Sequence, residues 1–219
     1  MTVLQATLIA FFRCVAIVTM IALSMPTDDA LAQAVDQALE ERIAKEKGDR
    51  RDCKIKICDA ALNKKADGED IACKVVKTWT VAELKEKVLK DRIEWPFGHA
   101  QCTAELKLPR KVLAKSLDSG EMEVALEKHS VSCTLDQKDG KDKYSISFSI
   151  KPTVKFKDGK AIKSGINWSD IQGSAVAKGA VWSVATLDNY VGILEGAAVE
   201  GINDFFGTHC AEVKDALGK

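Results

Sequence analysis

The sequence predicts an α+β protein: a curved antiparallel sheet of about five strands packed against C-terminal helices, with helical segments at the N-terminal end. Three observations carry this reading. Apolar residues alternate with polar ones in Ala100 to Leu108, in Val131 to Leu135 and from Ile146 to Phe156, which is the strand period. The intervening positions are serines and lysines, so one face of the sheet is wet and the other needs a cover. From Ser169 onward the chain turns rich in Ala and Gly, with apolar residues at helical spacing, and supplies that cover.

Composition narrows the class further. The 219 residues are 46% apolar and 29% charged, with 32 basic and 32 acidic side chains and a formal net charge of +0. That excludes a disordered or low-complexity chain. It also argues against nucleic-acid binding, since no excess of positive charge is present to neutralise phosphates.

The N-terminus reads as an export signal. Cys14 to Ser24 is an apolar run preceded by Arg13, and Ala30-Leu31-Ala32 before Gln33 has the small-x-small form of a cleavage site. The run is shorter than the ~20 residues of a spanning helix. Residues 1–32 are therefore expected to be a cleaved signal peptide. Residues 33–219 are expected to form a single exported domain without a transmembrane segment, periplasmic or extracellular in location. Cys14 leaves with the signal.

Six cysteines remain: Cys53, Cys58, Cys73, Cys102, Cys133 and Cys210. An even set in an oxidising compartment implies three disulfides. No C-x-x-C redox motif is present, and the only close pair, Cys53 and Cys58 with four residues between, has no partner ligands at matching zinc spacing. Cys102 and Cys133 share the buried phase of neighbouring strands and are expected to pair. Cys210 is expected to join Cys53, Cys58 or Cys73 and so tie the chain ends together.

In chain order, Gln33 to Lys47 reads as a helix with a thin apolar stripe, stopped at Gly48, and Arg51 to Asn63 as a second helix. Ile71, Cys73 and Val75 begin a strand to about Thr78. Thr80-Val81-Ala82-Glu83 has the form of a capping box opening a helix. Trp95 to His99 is a loop broken by Pro96 and Gly98. The Ala100 strand follows, then a short helix from Pro109 to about Leu117. Beyond Glu121 a meander is expected. Met122, Val124 and Leu126 face one way, Val131, Cys133 and Leu135 the other, which predicts a bulge between Glu127 and Ser130. Asp139-Gly140 and Asp158-Gly159 are turn pairs. Between them one strand carries Ile146, Phe148, Ile150, Val154 and Phe156 inward, with Pro152 marking an edge or a bulge. A last strand points Ile162, Ile166 and Trp168 inward. Trp182, Ala185, Tyr190, Ile193, Leu194, Ala197, Ile202 and Phe205 form the apolar face of one broken helix or two consecutive ones, with Asp188-Asn189 as the joint.

Candidate functional residues are few. His99, His129 and His209 are the only histidines, and none lies in a G-x-S-x-G or H-E-x-x-H motif. Glu195, Glu200 and Asp204 recur on the last helix as its wet face. Asn167-Trp168-Ser169 matches a glycosylation sequon. Lys151, Lys155, Lys157, Lys160 and Lys163 form a basic surface stripe suited to edge protection or to an acidic envelope polymer or head group. Gly192 and Gly196 have the spacing for tight helix docking. The small residues Ala175, Gly179, Ala185, Gly192, Gly196 and Ala197 either let the helices dock closely on the sheet or leave a void. In the second case Trp95, Phe97 and His99 line its mouth as a ligand-binding site. The expected function is that of an exported, disulfide-stapled, non-catalytic binding or accessory protein of the cell envelope, whose partner is a small apolar ligand, an envelope component or another protein. The alternative is a secreted hydrolase using carboxylate or His chemistry. No cofactor or metal is expected.

Overall fold

A computed structural model describes residues 28–89, 94–118, 120–138 and 142–217. The apolar run from Cys14 to Ser24 and the Asp139-Gly140 turn lie outside the described residues. The chain divides into two units, Met1–Glu41 and Arg42–Lys219. The described part of the first is helical and belongs to helix α1, Asp28–Asp49, which runs on into the second. Gly48 does not stop α1, and Ala30-Leu31-Ala32 is helical. No helix among the described residues is long and apolar enough to cross a membrane.

The second unit is α+β, as its alternating patterns dictate. After α2 (Arg51–Leu62) come β1 (Ile71–Trp79), a helix α3 (Val81–Glu83) and β2 (Ala100–Leu108). The Thr80 hydroxyl accepts the Glu83 N–H at 3.1 Å and the Glu83 carboxylate accepts the Thr80 N–H at 3.1 Å, so the capping box is complete. Helix α3 continues as a π-helical stretch, Leu84–Leu89. Then follow α4 (Arg110–Ser116), β3 (Glu121–Ala125), β4 (His129–Asp136), β5 (Lys143–Ile150), β6 (Thr153–Lys157), β7 (Lys160–Gly165) and β8 (Trp168–Gly173). Helices α5 (Ala175–Val191) and α6 (Glu195–Asp204), with short turns Phe205–His209 and Ala211–Ala216, complete the chain.

The strands make two sheets. Five of them, in the order β1-β2-β4-β5-β8, form an antiparallel sheet, and β3-β6-β7 form a smaller one. This corrects the meander. The parity change between Leu126 and Val131 is no bulge: β3 pairs with β6 and β4 with β2, so the chain changes sheets there. Likewise the run from Ile146 to Phe156 is two strands. Pro152 has no N–H to give a ladder, and the chain leaves the large sheet at Ile150 and enters the small one at Thr153. Asp158 and Gly159 both take positive φ, 49° and 78°, the mirror-image turn that two-residue hairpins prefer. The last predicted strand is split as well. Ile162 is exposed, because a register shift between Lys155 and Phe156 sets Ala161 and Ser164 inward instead. The stretch after Trp168 is β8 rather than helix, and α5 starts only after Ser174, whose hydroxyl accepts the Ala177 N–H at 3.4 Å.

The core lies between the large sheet and α5. Val131, Cys133, Leu135 and Ile146 meet Ala177 and Val181 there, with Leu84, Phe97 and Ala100 closing one end. Of the small residues of α5, Ala177 and Ala185 are buried on its inner side, whereas Ala175 and Gly179 are exposed. A second cluster sets α2 against β1 through Cys53, Ile57, Ala60 and Ile71. A third fills the small sheet with Val124, Val154, Phe156 and Ala161, covered by Val199, Ile202 and Phe206.

Three disulfides staple this frame: Cys53–Cys73, Cys58–Cys210 and Cys102–Cys133. The last joins directly opposed residues of β2 and β4, with Cα atoms 4.1 Å apart. The second ties α2 to the C-terminal turns across a separation of 152 residues. Such a set fits an exported protein or an otherwise oxidising environment.

Candidate functional site

The aromatic loop packs against one end of the core. Phe97 is 3% exposed and its ring meets Trp95 edge-on at 5.2 Å and Tyr144 at 5.7 Å. The Trp95 indole N–H donates to Gly98 O at 2.8 Å, and Gly98 N–H donates to Asp136 O at 2.7 Å. His99 accepts the Val81 N–H on Nδ1 at 3.3 Å. These bonds close the end of the core that Phe97 fills.

The other histidines are also held. His129 is buried, accepting the Lys107 N–H on Nε2 at 3.0 Å and donating from Nδ1 to Glu127 O at 2.6 Å. His209 lies between Asp204 (3.3 Å) and Glu212 (3.2 Å) at the surface. Glu212 also takes Lys54 at 2.6 Å and Lys47 at 3.7 Å. The hydrogen bond from Lys54, with that from His209, holds the Glu212 carboxyl down to about 2. The Lys54–Glu212 pair joins α2 to the C-terminal turns, the same two elements that Cys58–Cys210 joins.

Two lysines of the stripe, Lys155 and Lys157, face acid across the small sheet. Lys155 makes an ion pair with Glu121, and β3 sets Glu121 and Glu123 directly across from Lys157 and Lys155. Lys160 and Lys163 are on the edge strand β7, where charge discourages pairing with another chain. Glu195, Glu200 and Asp204 recur along α6, where Glu200 and Asp204 are exposed.

The feature that stands out is helix α5. Its inner side, Ala177, Val181, Ala185 and Asp188, is buried. Its outer side is also apolar: Val176, Trp182, Leu187, Tyr190 and Val191 are exposed, Trp182 at 57% and Tyr190 at 90%. The reading of Trp182 and Tyr190 as inward is thereby overturned. A helix with two apolar faces satisfies the 3.6-residue period on either side, so periodicity alone does not say which one docks.

Two polar groups on that outer side, Ser183 and Asn189, are already satisfied within the chain. The Ser183 hydroxyl donates to Gly179 O at 3.0 Å. Asn189 accepts the Trp168 N–H at 2.8 Å and donates to Trp168 O at 3.0 Å. Lys178 is the one basic residue of α5, and its one acid, Asp188, faces inward. Gly179 has open space where a Cβ would stand, so nothing among the described residues requires a glycine in mid-helix. The same is true of Gly196, while Gly192 (φ 63°) ends α5 in the left-handed conformation rather than serving close packing. No family model, curated protein or solved structure matches this chain.

Proposed function

We propose that the protein is an exported, disulfide-stapled, non-catalytic accessory protein of the cell envelope that works by docking on another protein surface through the outer face of α5. The observation carrying this is the exposed apolar row Val176, Trp182, Leu187, Tyr190 and Val191. Contiguous exposed apolar surface on a folded chain marks an interaction site. Exposed Trp and Tyr supply the area from which interface hot spots are built. The internal satisfaction of Ser183 and Asn189 supports the reading, because burying that face leaves neither group without a partner. The three disulfides support the compartment.

The test is a photoreactive side chain placed at Leu187 in the full-length chain, irradiated in the exporting cell. Ser132 on the exposed face of the large sheet is the control. A discrete protein adduct from position 187, with none from 132, is the expected result. Adducts to lipid, or equal labelling at both positions, would overturn the reading.

A further inference from the structure

We propose that the occupant of the α5 face is a second copy of this chain, paired antiparallel about a twofold axis at Ser183. The inference rests on the docking reading above and names its partner.

The argument is in the spacing. Ala175, Val176, Gly179, Ser183, Leu187, Tyr190 and Val191 are all exposed on α5. Their positions are symmetric about Ser183, at four, seven and eight residues on either side. Those offsets bring a side chain back to the same side of an α-helix. Two copies crossing antiparallel at Ser183 therefore set Gly179 against Leu187, Val176 against Tyr190 and Ala175 against Val191. In every pair the smaller residue comes from the N-terminal half and the larger from the C-terminal half. The face is complementary to itself by inversion, as an isologous contact requires. Leu187 enters the gap left by Gly179, which accounts for a mid-helix glycine whose absent Cβ would touch nothing among the described residues. Small residues at such a seam let two helix backbones approach closely.

Area and charge agree. The four large exposed side chains of the seam, Val176, Leu187, Tyr190 and Val191, present on the order of 400–500 Å² of surface, and the small residues between them, with Trp182 at its margin, bring the face toward the ~800 Å² per partner of a stable interface. None of the seven seam positions carries a cation, so an anionic lipid surface finds no matching charge there. A second identical face needs none.

The test is sedimentation equilibrium of the mature, disulfide-intact protein. A dimer is expected, and Gly179→Leu, which fills the gap, should weaken it at least tenfold. Leu187→Ala should do the same by removing the knob. The double variant exchanges knob and gap and should recover dimerisation to within a few-fold of the parent. Gly179→Leu enters open space, so circular dichroism should show an unchanged fold. A wild-type monomer up to about 100 μM, or a double variant no better than the worse single one, would overturn the pairing. If such a monomer still gives one discrete adduct of foreign mass from position 187, the docking reading survives and self-pairing falls. If it gives lipid adducts, both fall.

Discussion

Asp188 accepts the indole N–H of Trp168 at 2.8 Å, joining the start of β8 to the last turn of α5. Its other carboxylate oxygen takes the Leu194 N–H at 2.8 Å, across the reversal that follows Gly192. One buried carboxylate thus sets where α5 ends and where α6 begins relative to the large sheet. The joint expected at Asp188-Asn189 falls at Gly192, because Asp188 holds it from within the helix.

Replacing Asp188 by Asn should destabilise the fold by about 1–3 kcal/mol, since the amide turns one N–H toward a group that is itself a donor. Trp168→Phe should lose a similar amount by leaving a carboxylate oxygen unpaired. Urea unfolding of both single variants and the double one should show coupling, with the double variant less destabilised than the sum. Strict additivity would mean that the two groups do not act on each other.

Gly192→Ala should cost about 1 kcal/mol, because φ of 63° places a Cβ against its own following carbonyl. The same substitution at Gly196, inside α6 with open space around it, should stabilise by about 0.5–1 kcal/mol. Opposite signs in the unfolding midpoints check both claims at once.

How far the sequence reaches follows from what each pattern encodes. Cys102 and Cys133 are pairable on paper because strand phase fixes the face and adjacent strands fix the distance. Cys53 is on a helix and Cys73 on a strand, and no shared period relates them. Residue alternation reports a face relative to some sheet, not which sheet. The parity change after Leu126 and the break at Pro152 are both visible, yet neither names the partner strand. Trp182 and Tyr190 mislead for a related reason: a helix apolar on both sides gives one signal for two environments. The Trp95–Phe97 loop is legible as an aromatic element, but the ring it meets, Tyr144, lies on another strand and no local pattern names it.

Peptide mapping without reductant should recover the pairs Cys53–Cys73, Cys58–Cys210 and Cys102–Cys133. Removing both cysteines of Cys58–Cys210 should destabilise most, by roughly 4–5 kcal/mol, because that bond closes by far the longest loop. Removing Cys53–Cys73, with a separation of 20, should cost nearer 3 kcal/mol. Equal losses would mean that native contacts, rather than restriction of the unfolded chain, carry the stabilisation.

Glu46 should make the fold sensitive to acid. Burial raises this carboxyl, but it is outweighed by hydrogen bonds from the Thr78 hydroxyl (2.8 Å), Gln101 (2.7 Å) and the Thr78 N–H (2.6 Å), with Arg50 adding its charge. The net result lies below the ordinary 4.5. A carboxyl depressed on folding contributes stability that is fully present above 4.5 and lost as pH falls through the folded value. Glu212, held at about 2 by Lys54 and His209, extends the same loss further into acid. The urea midpoint of the wild type should therefore fall steadily as pH drops below about 4.5. Glu46→Gln should be less stable by about 1–3 kcal/mol at neutral pH, because its amide sets a donor against the Thr78 N–H or hydroxyl. Its midpoint should also change less over the first part of the acid descent. Glu212→Gln should flatten the descent over the whole range from about 4.5 down to about 2, because its unfolded carboxyl begins to protonate at the same pH as that of Glu46. A Glu46→Gln variant that follows the wild-type slope throughout would show that the buried carboxylate does not link folding to pH.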